Sequence, residues 1–304
     1  MEIINHHSSY KVIPKSVSAE PERTYKLSKE QLQYYKENGF LVVKRLLDFT
    51  DLYNFKQHFI RICKGLEATT YMTVVKERSL NKNDGDTESY INKLQDIHYD
   101  EVFMNYTEHP RLLDVVAQII GDDISLINSM FINKPPGTPE HPAHQDLHYF
   151  PFRPADKLIG TWMAIDDAIV DNGCLWVVPG SHLWDILYTH GSYPGALKLY
   201  HSINDESVAP SNMRVPLEMG PGDVVFFHPM LVHGSGANVT KKYRKCLSTH
   251  YMNSHCESVD VRGTEQDIVR RELEAEGQRR GLEGLDFMAL IKLRMKEVRK
   301  KSKL

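Results

Sequence analysis

The chain has 304 residues, of which 25% are charged, and a formal net charge of −3 at pH 7. No basic stripe crosses the body of the chain and no apolar run reaches the roughly 18 residues of a membrane-spanning helix, which argues against nucleic acid as the main partner and against a membrane span. The four cysteines form no Cys-x-x-Cys pair, so a reducing compartment is expected and neither a zinc ribbon nor a redox dithiol is predicted.

Helices dominate the predicted front of the chain, residues 25–121, which follows a polar, non-periodic arm at 1–24. Residues 28–31 have the pattern of a capping box and predict a helix that ends at Gly39, where glycine accepts a left-handed conformation. Residues 40–43 then predict a strand.

A second helix is predicted over residues 50–65, with Thr50 as its N-cap. Its apolar stripe consists of Leu52, Phe55, Phe59 and Ile62. A strand is predicted at 71–75. The polar segment 78–88 predicts a loop and a candidate lid over an active site, and a further helix is expected at about 110–120.

From Ile124 the pattern changes to short apolar runs separated by Gly, Pro and Asn. The predicted strands cover residues 124–132, 158–165, 173–178, 224–227 and 245–252. Short strands with such punctuation are typical of a sandwich or barrel, here at 124–256. Residues 264–301 are rich in Arg and Glu and predict one or two charged helices packed outside, so that 25–301 form a single domain.

One segment between these strands, residues 141–154, alternates histidines, a carboxylate and aromatic side chains. On a strand, residues i and i+2 share a face, so His144 and Asp146 point the same way while Gln145 points elsewhere. Two histidines and one carboxylate on one triangular face, with the remaining positions open, are typical of a non-haem Fe(II) centre. The pattern therefore predicts two of three metal ligands.

The third ligand has to be chosen among other histidines. A second His-x-Asp, His98 with Asp100, lies in the helix-favouring stretch 93–121, and in a helix the side chains at i and i+2 diverge by roughly 200°. That pair is predicted not to bind metal. His233, between a buried strand and a Gly-Ser-Gly turn, is the best candidate. Its rival His228 precedes a proline that blocks ladder hydrogen bonding, so it is expected to cap the strand or to support a ligand.

Arg244 follows His233 across a turn rich in Gly, Asn, Thr and Lys, which returns the chain on a neighbouring strand. A planar guanidinium grips a carboxylate in a bidentate way, so Arg244 is predicted to bind a carboxylate held at the metal. The alternative, a solvated edge-strand arginine, suits the nearby lysines better. A zinc hydrolase is disfavoured because it leaves Arg244 without a role.

These segments resemble the phytanoyl-CoA dioxygenase family of Fe(II)- and 2-oxoglutarate-dependent oxygenases. The similarity runs from about residue 25 to the C-terminus and is carried by residues 35–42, 131–136, 144–154, 172–175 and 227–236. The resemblance implies a mainly β fold with flanking helices and a double-stranded β-helix, or jelly-roll, core. It implies Fe(II) as the metal, 2-oxoglutarate and O2 as cosubstrates, and ascorbate as a reductant.

By position, the resemblance implies three iron ligands, His144, Asp146 and His233. It implies contacts to 2-oxoglutarate from Arg244, which meets the distal carboxylate, and from Lys93, Met130 and Trp162. From the residues alone, Lys93 would be a solvated helix residue, and Met130 and Trp162 would be core residues.

The activity that the resemblance implies is 2-hydroxylation of phytanoyl-CoA, a 3-methyl-branched acyl-CoA, in fatty-acid alpha-oxidation, with succinate and CO2 as co-products. The carboxylate of Asp146 argues against a halogenase, which needs that ligand position free for halide. Two alternatives stay open: hydroxylation of a straight-chain acyl-CoA or another small hydrophobic carboxylate derivative, and a catalytically silent jelly-roll that binds lipid.

The chain ends in Ser302, Lys303 and Leu304, and a free C-terminal Ser-Lys-Leu is an address read by the peroxisomal import receptor. Residues 1–20 lack the apolar stretch of a secretory signal. We therefore expect a protein of the peroxisomal matrix. The alternative is a solvated basic tail that ends this way by chance.

Overall fold

The computed structural model describes residues 24–76, 87–192 and 201–300. Nearly all of the predicted arm at 1–24, most of the candidate lid at 78–88 and the terminal tripeptide lie outside these ranges. The described chain forms six α-helices and sixteen β-strands, joined by loops and short 3-10 turns. No described helix has both the length and the apolar composition needed to cross a membrane.

The helices are α1 Lys29–Asn38, α2 Phe49–Cys63, α3 Glu101–Thr107, α4 Pro110–Ile120, α5 Asp267–Arg279 and α6 Phe287–Lys292. The strands are β1 Phe40–Val43, β2 Thr73–Lys76, β3 Ile91–Gln95, β4 Ile124–Lys134, β5 His141–His144, β6 Phe152–Arg153, β7 Leu158–Ala164, β8 Leu175–Val177, β9 His190–Ser192, β10 His201–Ile203, β11 Val215–Leu217, β12 Val224–Phe227, β13 His233–Ser235, β14 Arg244–Asn253, β15 Glu257–Ser258 and β16 Lys296–Arg299.

Two antiparallel sheets form the centre of the fold. The large sheet has the order β1-β12-β7-β14-β4-β3-β2, with β16 paired to β4, and the small sheet has the order β11-β8-β13-β5. Trp162, Val225 and Phe227 of the large sheet share one buried apolar cluster with Leu175 and Val177 of the small sheet. The cluster fills the space between the sheets, as expected for the predicted sandwich.

Helices cover the opposite face of the large sheet. Phe55 and Phe59 of α2 and Leu112 of α4 belong to one buried cluster with Val224 and Leu247 of the sheet. Both faces of the central strands are therefore buried, and all four residues of β12 are inaccessible to solvent. This explains why 224–227 is a continuous apolar run rather than an alternating one.

The two C-terminal helices close one end of the sandwich. Leu273 of α5 and Leu290 of α6 pack in a further cluster with Leu147, Phe152 and Met252. The segment that follows the metal motif is therefore held from outside by the C-terminal part of the chain.

Several predicted elements are confirmed. Ser28 caps α1 through a capping box, and Gly39 ends this helix with a φ of 78°. The stripe predicted for the second helix, Leu52, Phe55, Phe59 and Ile62, is buried. That helix begins at Phe49, because Asp48 rather than Thr50 occupies the extended N-cap position.

Two predictions of helix are wrong in part. The stretch 93–121 begins as β3, because Lys93 to Gln95 pair with both β2 and β4 and these cross-strand contacts override local preference. The segment 264–301 ends as β16 instead of helix. It pairs with the first residues of β4, and Arg299 forms an ion pair of 2.9 Å with Asp114.

His98 provides a test of the packing around β4. Its Nδ1 lies 2.7 Å from Ser129 Oγ, and burial, followed by Lys296 and Arg294, lowers the pKa of His98 from 6.5 to about 4. Between these pH values the unfolded chain binds a proton that the folded chain does not. The free energy of unfolding therefore falls as the pH falls, by at most about 1.4 kcal/mol per pH unit.

We expect His98→Leu to flatten the dependence of the unfolding free energy on pH, measured by urea unfolding of the metal-free protein. A slope equal to that of the wild type would contradict the assignment.

Candidate metal centre

Three side chains of the described residues converge well enough to hold a metal ion: His144, Asp146 and His233. One ligand atom of each lies within 4.8 Å of the others. Nε2 of His144 is 3.5 Å and Nε2 of His233 is 3.7 Å from Oδ1 of Asp146. All three residues are buried. The fold therefore brings together the three residues that the sequence analysis proposed as ligands.

The small sheet positions the two histidines. His144 is the last residue of β5 and His233 the first of β13, and the two are direct cross-strand partners. The strand ends at His144, earlier than the alternating pattern at 141–154 implied, but Gln145 keeps an extended backbone with φ −125° and ψ 126°. Asp146 therefore lies on the same side as His144.

Gln145 points away from the triad into a polar network. Its side-chain amide donates to the carbonyls of Ile186 and Met230, each at 2.9 Å. Its Oε1 accepts from the backbone N–H of Tyr188 at 2.9 Å, and its own N–H donates to His190 Nε2 at 3.0 Å. These bonds fix the backbone between His144 and Asp146.

Both histidines of the triad are held in a tautomer that could bind a metal through Nε2. Nδ1 of His144 donates to the carbonyl of Pro142, and Nδ1 of His233 donates to the carbonyl of Leu231, each at 2.9 Å. The proton on Nδ1 leaves the Nε2 lone pair free for a metal. Burial, followed by the neighbouring His144, lowers the pKa of His233 to about 4, so this imidazole is neutral at physiological pH.

The carboxylate of Asp146 is ionised although it is buried. Burial by itself raises the pKa of this group, but its neighbours, His250 first among them, hold the pKa well below its usual range. His250 Nε2 lies 2.7 Å from Asp146 Oδ2. One carboxylate oxygen and two neutral imidazoles on one side of a site form a donor set that suits Fe(II).

Four further predicted residues lie on the inner face of the large sheet. Residues directly opposite one another in an antiparallel pair share a face. Ser248 of β14 lies opposite both Met130 and Trp162. Cys246, on the same face, lies in a row with Ile132 and Lys93 across β4 and β3. Arg244 is two residues before Cys246 and shares its face.

Lys93 is not the solvated helix residue that its sequence context suggests. It lies in β3. Burial lowers the pKa of its ammonium group, and the nearby carboxylate of Asp146 offsets only part of this shift. The effect of the Asp146 carboxylate on Lys93, together with the place of Lys93 in the row with Cys246, indicates that Lys93 lies near the triad. The resemblance, and not the local sequence, indicated this position.

Arg244 is buried without a carboxylate partner among the described residues. Nη2 donates to the carbonyl of Gly173 at 2.9 Å and Nη1 donates to Cys246 Sγ at 3.3 Å. The guanidinium carbon lies 5.1 Å from the centre of the Trp162 ring. Its Nε is buried and has no hydrogen-bond partner in the described chain. A buried cation with an unsatisfied N–H is suited to a bound anion.

The rejected candidates have structural roles. His98 bonds Ser129. Asp100 caps α3 through its Oδ1 and lies 2.8 Å from His58 Nε2 through its Oδ2. His228 accepts a hydrogen bond on Nδ1 from the backbone N–H two residues on and is not part of the triad. That the second His-x-Asp does not bind metal stays a prediction.

The sequence analysis missed His250. It is buried on β14 and its hydrogen bond to Asp146 makes it the nearest supporting residue of the triad. The signal was present in the strand itself, because Arg244, Cys246, Ser248 and His250 recur with a period of two and therefore share one face.

Comparison with known proteins gives one family. A family model described as phytanoyl-CoA dioxygenase (PhyH) matches residues 35–246. The chain is 40% identical over 284 residues to a protein of Rattus norvegicus named phytanoyl-CoA dioxygenase, peroxisomal, with 90% of this chain and 83% of the rat protein covered. It is 41% identical over 294 residues to a protein of Caenorhabditis elegans named probable phytanoyl-CoA dioxygenase, with 90% and 93% covered.

Solved structures share the fold. The epimerase SnoN in complex with Fe3+, alpha ketoglutarate and nogalamycin RO aligns with a TM-score of 0.59 at 21% identity, over 77% of this chain and 86% of SnoN. EctD from S. alaskensis with bound Fe aligns with a TM-score of 0.58 at 20% identity, over 76% and 80%. The predicted jelly-roll core with flanking helices is thereby confirmed.

Proposed function

The chain belongs to the phytanoyl-CoA dioxygenase family, and we propose that it is an Fe(II)- and 2-oxoglutarate-dependent dioxygenase that hydroxylates phytanoyl-CoA at C2. The observation that carries the proposal is the buried triad of His144, Asp146 and His233 together with Arg244, whose buried Nε has no hydrogen-bond partner among the described residues. A cosubstrate with two carboxylates needs a metal at one end and a separate cation, such as a guanidinium, to bind the carboxylate at the other end.

The triad would hold Fe(II) through Nε2 of both histidines and Oδ1 of Asp146. When bound, the iron supplies, with 2-oxoglutarate and O2, the oxidation that replaces a C–H bond by C–OH while 2-oxoglutarate becomes succinate and CO2. The protein itself has to orient the cosubstrate and the acyl chain and exclude water.

Arg244 would bind the distal carboxylate of 2-oxoglutarate. Its bonds to Gly173 and Cys246 fix the plane of the guanidinium and leave Nε and further N–H groups for the anion. We propose that Lys93, Met130 and Trp162 line the same cosubstrate site, because their side chains share the inner face of the sheet with Arg244.

Aromatic rings would keep water away from the triad. The ring of Phe227 lies 4.9 Å from that of His233, and the ring of Phe150 lies 5.0 Å from that of His250. An apolar wall around an ionised carboxylate lowers the local dielectric and strengthens its attraction to a bound cation.

We propose that residues 25–301 form a single oxygenase domain, with a helix-rich front at 25–121, the jelly-roll core at 124–256 and the C-terminal helices at 264–301. Apolar clusters shared between the front helices and the large sheet, and between α5, α6 and the metal motif, support this arrangement. The peroxisomal matrix, with fatty-acid alpha-oxidation as the pathway and the import receptor as a partner, is supported by mammalian relatives named peroxisomal and by Ser302, Lys303 and Leu304.

Substitutions of Asp146 and Arg244 should separate metal binding from cosubstrate binding. We expect Asp146→Ala to weaken Co(II) binding by more than about 100-fold, since even outer partners of metal ligands contribute about 10- to 100-fold. Arg244→Ala should raise the Kd of 2-oxoglutarate by about 30-fold or more, as for a lost buried charge pair of at least about 2 kcal/mol, with Co(II) affinity unchanged. Titration calorimetry measures both constants, and Arg244→Lys serves as the conservative control. Equal losses of metal and cosubstrate in both variants would contradict the assignment.

The substrate is tested by succinate formation. The purified protein with Fe(II), 2-oxoglutarate and ascorbate should form succinate fastest with phytanoyl-CoA, together with one equivalent of 2-hydroxyphytanoyl-CoA. Palmitoyl-CoA and free phytanic acid are the matched comparisons for branching and for the CoA group. Equal stimulation by palmitoyl-CoA would support a different acyl-CoA as substrate, and no succinate with any of them would support a silent lipid-binding protein.

The location is tested with an N-terminal fluorescent fusion. We expect the fusion to coincide with a peroxisomal marker and to disperse into the cytosol when Leu304 is deleted, because the receptor reads the free terminal tripeptide. Addition of one glycine after Leu304 is a matched control that keeps all residues and blocks the free end. Peroxisomal signal in either variant would contradict the role of the tripeptide.

A further inference from the structure

His250 contacts the metal-binding carboxylate on the side away from the other two ligands. Its Nε2 lies 2.7 Å from Oδ2 of Asp146. The Nε2 atoms of His144 and His233 lie near Oδ1 instead. The two oxygens of one carboxylate therefore have separate neighbours: Oδ1 faces the ligand histidines, and Oδ2 faces His250.

Asn128 lies against the other ring nitrogen of His250. The two residues are direct cross-strand partners on β4 and β14, and Nδ2 of Asn128 lies 3.3 Å from Nδ1 of His250. The ionised carboxylate of Asp146 can only accept, so Nε2 carries the hydrogen, and the amide nitrogen of Asn128 can only donate, so Nδ1 accepts. That hydrogen points at Asp146 Oδ2. This tautomer is the opposite of the one found in His144 and His233.

The ring of His250 is fixed by its surroundings. It is 5% exposed and has Phe150 on one side at 5.0 Å and Phe227 perpendicular to it at 6.4 Å. Its cross-strand partner on β7 is Gly160, where an added Cβ would lie 2.5 Å from the Phe227 ring. The absence of a side chain at 160 thus leaves the space in which Phe227 packs beside His250.

We propose that His250, oriented by Asn128, is a positioning residue that keeps Asp146 bound to the iron through Oδ1 alone. A carboxylate with both oxygens free can chelate a metal and occupy an additional coordination position. An Oδ2 that accepts the hydrogen of His250 is held away from the metal, which leaves that position for the cosubstrates. The inference rests on the proposed function.

A purely structural role for His250 makes a different prediction. If its hydrogen bond only stabilises the core, its loss lowers the melting temperature and leaves the affinities of the folded protein unchanged. If it positions Asp146, its loss changes the number of ligands around the metal and weakens 2-oxoglutarate binding. Measurements on the Co(II)-loaded protein separate these outcomes without any turnover.

The experiment compares four variants with the wild type. His250→Leu removes the donor, and His250→Gln keeps an N–H close to the position of Nε2. Asn128→Leu removes the polar partner of Nδ1. His98→Leu removes a buried histidine whose hydrogen bond is to Ser129 and not to the triad. The readouts are the melting temperature, the Kd of Co(II), the intensity of the Co(II) visible absorption, which reports coordination number, and the Kd of 2-oxoglutarate.

We expect His250→Leu to weaken Co(II) binding by about 10- to 100-fold, to change the Co(II) absorption and to raise the Kd of 2-oxoglutarate by about tenfold or more. His250→Gln should recover most of these properties and Asn128→Leu should lie between them. His98→Leu should change the melting temperature alone.

Wild-type Co(II) absorption and wild-type affinities in folded His250→Leu would overturn the proposal. If His250→Leu does not fold, Asn128→Leu decides in its place, and unchanged absorption and affinities in that variant overturn the proposal. A wild-type protein that binds Co(II) but not 2-oxoglutarate would instead refute the proposed function.

Discussion

The ionised carboxylate of Asp146 is the group on which the site depends. A carboxylate removed from water is unfavourable unless charges or hydrogen bonds offset the loss of hydration. Here one oxygen accepts from His250, while the other faces the Nε2 atoms of His144 and His233. Those nitrogens carry lone pairs, because their protons are held on Nδ1 by backbone carbonyls. Oδ1 of Asp146 and the two Nε2 atoms are therefore three electron-rich atoms that face one another. A metal cation bound between them would relieve their repulsion.

The fold keeps this arrangement because each part is held by a different layer. Pairing of β5 with β13 places the two histidines opposite each other on the small sheet. The large sheet contributes His250 and Arg244 from one strand, β14, which has β7 and β4 as neighbours. The two histidines of the triad and the buried Arg244 thus belong to opposite sheets of the sandwich. Burial of both faces of the large sheet makes its strands rigid supports rather than mobile edges.

Local patterns were sufficient for the residues whose roles follow from spacing. His144 and Asp146 share a face because the backbone between them is extended, and Ser28 and Gly39 set the limits of α1 through their own side-chain and backbone preferences. The same reasoning failed for Lys93, whose surroundings resemble a helix in sequence but whose strand is imposed by β2 and β4. It also passed over His250, although that residue lies on the same face of its strand as Arg244.

The sequence by itself determined the kind of chemistry available to this protein: two imidazoles and a carboxylate for a metal, an arginine for a carboxylate, and alternating apolar strands for a sandwich. These properties depend on residue type and on spacings of a few residues, which the backbone geometry of a strand converts directly into a shared face. Only the tertiary structure decided the tautomers of the three histidines, the different neighbours of the two oxygens of Asp146, the burial of Arg244 and the place of Lys93 in a strand. Those features depend on cross-strand register between segments distant in the chain, such as Asn128 and His250, and register arises from packing of the whole sandwich rather than from any local stretch.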